Sequence, residues 1–96
     1  MGEITFDWDK NKNRANVRKH GVSFEEAQTA FFDPNAIRYF DPDHSEDEDR
    51  FILLGISFSL RMLVVCHCYR AGDTVIRIIS ARKASKREAD DYRRIQ

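Results

Sequence analysis

The sequence predicts a single α+β domain: helices packed on a mainly antiparallel sheet. Helix-cap signals bracket two short segments in the first third of the chain. From Ala36 onward the apolar period changes from helical to alternating. The last three alternating runs are joined by connections of only three residues, which allow nothing but hairpins. Ninety-six residues suffice for one hydrophobic core. The expected order is β-α-α-β-β-β-β-α, with the two N-terminal helices on one face of the sheet and a third helix closing the chain.

Residues 4–9, ITFDWD, place Ile4, Phe6 and Trp8 on one side of a short strand. Asp9 is suited to cap a helix from Lys10 to about His20, and Gly21 to end it. Only Ala15 and Val17 are apolar there, so the buried stripe is narrow. Ser23 with Glu26 forms a capping box, and Phe24, Ala27, Ala30 and Phe31 share one face of the helix it opens. Asp33-Pro34 stops that helix, because a residue before proline resists the α region. Residues 36–40 read as a strand, followed by the acidic loop DPDHSEDED. Residues 51–58, 62–70 and 74–82 are the hairpin strands. Ser85 with Glu88 is a second capping box, opening a helix that carries Tyr92 and Ile95.

A composition of 42% hydrophobic and 33% charged residues is that of a globular chain. No apolar run approaches the ~20 residues of a membrane helix. With no basic-then-apolar leader in view, secretion is not expected. Cys66 and Cys68 would share a strand face with Cα atoms ~6–7 Å apart. The strand opposes closing that pair, so a reduced, cytoplasmic protein is expected. Residues 1–48 hold 6 Lys/Arg against 11 Asp/Glu, and residues 49–96 hold 10 against 5. The basic half suits an anionic partner, unless the acidic half neutralises it in the fold.

The strand 74–82 ends in cations and runs into more of them: Arg77, Arg82, Lys83, Lys86, Arg87. On the neighbouring strand His67 lies on the side of Leu63, Val65 and Tyr69. His67 and Arg77, on adjacent strands, are expected to meet on an open sheet surface. A histidine among arginines suits an RNA phosphodiester. Metal-free cleavage needs a base for the 2′-hydroxyl, a cation for the phosphorane charge and an acid for the leaving oxygen. Each residue also has a plainer role. Arg77 can be a salt-bridge partner, His67 a satisfied core histidine, Lys83 with Lys86 and Arg87 a solvated helix face. Lys19-His20 can complement the helix end, and Arg61 can be any polar turn residue. The CHC triplet does not read as a metal site, because adjacent strand residues alternate faces.

The segments FDWDKNKNRANVRKHGVSFEEA, FFDP, DPDHSEDEDRFILLGIS and RMLVVCHCYRAGDTVIRIISARKASKRE, in that order from Phe6 to about Tyr92, resemble the BrnT family. These are the toxins of type II toxin–antitoxin pairs. The resemblance implies a small RelE-like domain and a metal-independent endoribonuclease, without a cofactor, that cleaves RNA and slows translation and growth. It also implies a BrnA-type antitoxin that masks the toxin and alone brings it to operator DNA, with a toxin homodimer inside that complex left open. Carried onto this chain, Arg61, Arg77 and Arg82 become phosphate-binding or charge-stabilising groups and His67 the acid/base. Lys19, Glu48, Arg50 and Lys83 become weaker members of the RNA site. The rival reading is a binding module that grips nucleic acid or an acidic protein without chemistry. A third is an inactive toxin kept as a regulator.

Overall fold

The structure, a computed structural model, describes residues 3–95. Its elements are β1 (Thr5–Asp7), α1 (Lys10–His20), α2 (Phe24–Thr29), β2 (Ile37–Phe40), β3 (Arg50–Ile56), β4 (Met62–Arg70), β5 (Val75–Lys83) and α3 (Lys86–Ile95), with 3-10 turns at Ala30–Phe32 and Pro42–His44. The strands form one sheet in the order β1-β5-β4-β3-β2. Pairings β2–β3, β3–β4 and β4–β5 are antiparallel, while β1 runs parallel to β5, so the sheet is mixed. Among the described residues no helix is long and apolar enough to cross a membrane.

The helix ends follow their sequence signals. Asp9 accepts from the N–H groups of Asn11 and Lys12 at 2.8 and 3.0 Å, and the Ser23 hydroxyl accepts from the Glu26 N–H at 3.0 Å. Gly21 ends α1 with a left-handed φ of 70°, at no steric cost. α2 is shorter than the apolar pattern suggests: it tightens into the 3-10 turn Ala30–Phe32 before Asp33 turns the chain away.

The two faces of the sheet bury different things. Val22, Phe24, Ala27 and Ala30 from the helical layer pack on Leu53, Leu63, Val65, Ile78 and Ala81. On the second face Leu54 and Val64 meet Tyr92 of α3, with Ile37, Ile52, Ile56 and Met62 around them. α2 and the 3-10 turn after it thus cover one face and α3 part of the other, while α1 is fixed to the edge of β5 through Asn16. Gly55 lets the 3-10 turn approach the sheet: a Cβ there would lie 2.8 Å from the Ala30 carbonyl oxygen.

Two features set which side chains reach the second face. The β4–β5 ladder slips between Cys66, opposite Ser80, and His67, opposite Ile78. Ile79 is therefore an extra residue, a β-bulge. Because of it Ile78 and Ala81, three apart, both face the helical layer, while Arg77, Ser80 and Arg82 face away. The second feature is Asn16. β1 covers β5 only at Val75, Ile76 and Arg77, leaving the rest of β5 as an open edge. The Asn16 amide, 7% exposed, fills that role: it donates to the Ala81 carbonyl at 2.8 Å and accepts from the Ala81 N–H at 3.2 Å. Its second N–H donates to the Val22 carbonyl, also at 2.8 Å.

Removing that amide leaves buried backbone groups unpaired. Asn16→Ala is expected to lower stability by roughly 2–3 kcal/mol. Asn16→Asp, which keeps the shape but cannot donate, should lose at least as much. Urea unfolding checks this: the midpoint should fall with the slope retained.

Candidate functional site

The expected cationic residues do not gather into one cluster. Arg61, in the β3–β4 turn, is taken up structurally. Its Nε donates to Glu26 Oε2 at 2.9 Å, one Nη bonds Glu26 Oε1, and that same nitrogen donates to the Gly21 carbonyl at 3.0 Å. Ser57 joins the same carboxylate at 2.7 Å. The Arg61 guanidinium therefore holds the Glu26 carboxyl below its usual range and fastens the turn to the α1–α2 junction. Lys83, paired with Leu63 in the ladder, is exposed on the side away from the second face, and Lys19 on α1 is exposed.

His67 and Arg77 do not meet; this corrects the expectation drawn from strand alternation. Cys68 is opposite Arg77 and His67 opposite Ile78, so the two side chains leave opposite faces of the sheet. The His67 ring is 0% exposed, packed edge-on against Phe31 with centroids 4.8 Å apart. Its Nδ1 donates to the Val65 carbonyl at 3.1 Å. Its Nε2 faces the Tyr69 hydroxyl at 3.4 Å, which accepts from Arg38 at 2.8 Å. Burial pushes His67 down to about 4. It is a satisfied core histidine on the helix-covered face. Arg77 pairs with Asp7 at 3.3 Å.

The second face holds a groove of about 250 Å³. Ile52, Cys66 and Ser80 are in register across three strands and form its floor. Arg82 lies to one side of that row and Arg50 to the other; His20 at the end of α1 and Asp41 with His44 in the β2–β3 loop complete its walls. Arg77 shares the face, in the row of Cys68 and Arg50. Glu48 stands at the loop's outer side, paired with Arg70 at 3.2 Å. Burial pushes the Cys66 and Cys68 thiols up, so both stay protonated near neutrality.

The two groove arginines differ. Arg82 is held as a fork: its two Nη atoms donate to the two Glu88 oxygens at 2.8 Å each. Glu88 also accepts from the Ser85 N–H at 2.8 Å as the capping box of α3, and Arg82 beside it brings its carboxyl down to about 2. Arg50 has no such partner. Its Nε is buried and makes no hydrogen bond, and among the described residues it forms no ion pair. A half-buried guanidinium with an orphaned donor is costly unless an anion completes it.

Strand reading alone did not reveal Asp41, His44, His20 and Ser80 as groove members. The signal for the first two was DPDH: in a one-turn helix a residue three positions on faces its predecessor.

A testable consequence concerns His67. Its folded value lies below the ordinary 6.5, so the unfolded chain takes up the proton first as pH falls. His67 should therefore cost about 3 kcal/mol of stability between pH 6.5 and 4, at 1.36 kcal/mol per pH unit. His67→Gln should flatten that slope in urea unfolding series, leaving only the carboxylate-dependent loss at lower pH.

Comparison with known proteins agrees with this architecture. The family model described as the ribonuclease toxin BrnT of type II toxin–antitoxin systems matches residues 8–88. The chain is also similar in fold to the crystal structure of the Brucella abortus ribonuclease toxin BrnT. The TM-score is 0.60 at 24% identity, covering 90% of this chain and 100% of that one. No curated protein matches in sequence. With the family match running from Trp8 through Glu88, the chain belongs to the BrnT family of type II toxin–antitoxin ribonuclease toxins.

Proposed function

We propose that this protein is a cytoplasmic, metal-independent endoribonuclease that slows translation and growth by cutting RNA in the groove of the second face. In this reading a BrnA-type antitoxin masks it and carries the complex to operator DNA. The strand order, with α2 on one face and the groove on the other, supports the RelE-like reading of the fold.

Arg50 carries the proposal. Among the described residues it is the groove cation without an ion pair, and its guanidinium lines the groove in which the phosphate is held. Across the floor, Arg82 is held by Glu88, which takes one N–H of each Nη; Nε–H and the outer N–H of one Nη are left to grip a phosphate, with less entropy to lose. The scissile phosphate sits over Cys66 and Ser80. The 2′-hydroxyl attacks phosphorus in line with the departing 5′-oxygen, and the two guanidiniums stabilise the phosphorane charge. His67 takes no part, being sealed on the other face. Arg77 contributes to the positive field of the surface, and Arg61 maintains the fold.

End-labelled single-stranded RNA incubated with the protein in EDTA, with and without ribosomes, tests this. Cleavage leaving a 2′,3′-cyclic phosphate is expected. Arg50→Ala should reduce it by about 10²-fold, the usual cost of one lost transition-state donor. Arg50→Lys should recover only part of the loss, since an ammonium cannot reproduce the fork. Retention of RNA in a gel without any cleavage would instead identify a non-catalytic binding module.

A further inference from the structure

We infer that His44, oriented by Asp41, is the general base of this groove and that His20 is its general acid. The inference rests on the ribonuclease reading and supplies the proton transfers which that reading leaves unassigned.

The Asp41–His44 pair is a built arrangement. His44 Nδ1 lies 2.9 Å from Asp41 Oδ2. Asp41 is 8% exposed, and its N–H donates to the Arg50 carbonyl at 2.8 Å. The Ser45 hydroxyl donates to the Asp41 carbonyl and accepts from the Arg50 N–H at 2.9 Å. The one-turn helix Pro42–His44 is thereby pinned to the first residue of β3, the same Arg50 that supplies the groove's cation. A carboxylate only accepts, so Nδ1 carries the imidazole proton and Nε2 keeps its lone pair. Nε2 belongs to a ring that is 66% exposed on the groove wall.

The placement of the three histidines adds a second, independent argument. His67 is sealed in the core, while His44 and His20, the two that reach solvent, line the same groove. They approach it from different elements, the β2–β3 loop and the end of α1. Cleavage needs two proton transfers at the two ends of an in-line displacement. His44 Nε2 takes the 2′-hydroxyl proton as the O2′–P bond forms. The P–O5′ bond breaks, and the leaving oxygen takes a proton from the His20 imidazolium. The products are a 2′,3′-cyclic phosphate and a 5′-hydroxyl, and both imidazoles return to their starting states by exchange with water. Asp41 is a positioning residue: it stabilises the His44 imidazolium and fixes the tautomer. The charged groups around His44 are Asp41, Arg50 and Arg82 on the groove side and Asp43, Glu46, Asp47 and Glu48 on the outer side.

The test follows RNA cleavage across pH 5–9, in EDTA and with ribosomes present, for the unmodified protein, His44→Gln, His20→Gln and Asp41→Asn. Thermal unfolding of each variant accompanies the assay. His44→Gln should lower kcat by about 10²–10⁴-fold at nearly constant KM and abolish the acid limb of the profile. His20→Gln should abolish the alkaline limb. Asp41→Asn should lower kcat while keeping KM and the melting temperature within a few degrees. A uridine 3′-(4-nitrophenyl phosphate) substrate, whose leaving group needs no proton, should restore His20→Gln but not His44→Gln. Wild-type rates in His44→Gln would overturn this assignment while leaving the ribonuclease reading intact. So would equal rescue of both histidine variants by the nitrophenyl ester. Absence of cleavage by the unmodified protein would overturn the ribonuclease reading, and this inference with it.

Discussion

The register slip beside Cys66 and His67 is the constraint on which the rest of the molecule depends. A regular β5 would alternate from Ile76 to Lys83, and its last four residues would face the wrong way. With Ile79 as the extra residue, both halves of the strand satisfy their faces. Ile78 and Ala81 enter the helical core, and Ser80 and Arg82 line the groove. The slip also places the Ala81 N–H and carbonyl where the Asn16 amide can pair with them, so the bulge and the seal on the open edge act together. A bulge sharpens the local twist, which is what a curved binding face requires.

The caps and turns were legible in the sequence because their chemistry is local. Asp9, Ser23 with Glu26, and Ser85 with Glu88 each act within a few residues, and each does so here. The hairpin order was legible for the same reason. Register was not, because nothing in RIISARK marks Ile79 as the residue to be bulged. The misplacement of His67 has a different cause, namely which face of the sheet the helical layer covers. His67 lies on the side of β4 that alternation assigns to it, but that side is the core. Its polarity is met by one carbonyl and one hydroxyl rather than by a substrate.

The arginines teach a related lesson about charge. The acidic and basic halves cancel in net charge, and three ion pairs join them across long sequence distances. Glu26 meets Arg61, Asp7 meets Arg77, Glu48 meets Arg70. An arginine's presence in a suggestive motif therefore says little until its carboxylate is located. Exposed pairs of this kind contribute little to stability one by one. Their effect here is selective: they engage Arg61, Arg70 and Arg77 and leave Arg50 in the groove without an ion pair among the described residues.

Glu88 shows how folding and site assembly are joined through one side chain. As the third helical residue after Ser85 it satisfies the Ser85 N–H and starts α3. The same carboxylate holds the Arg82 fork at the groove. α3 in turn is anchored by Tyr92, whose hydroxyl donates to Asp33 at 2.7 Å, and Asp33 also accepts the Ile56 N–H at 2.8 Å. The turn after α2, the end of β3, α3 and Arg82 thus form one connected polar chain. Its two ends are the helical layer and the groove wall. Displacing α3 would not merely uncover apolar surface on the second face; it would free the Arg82 guanidinium from the carboxylate that fixes it at the groove.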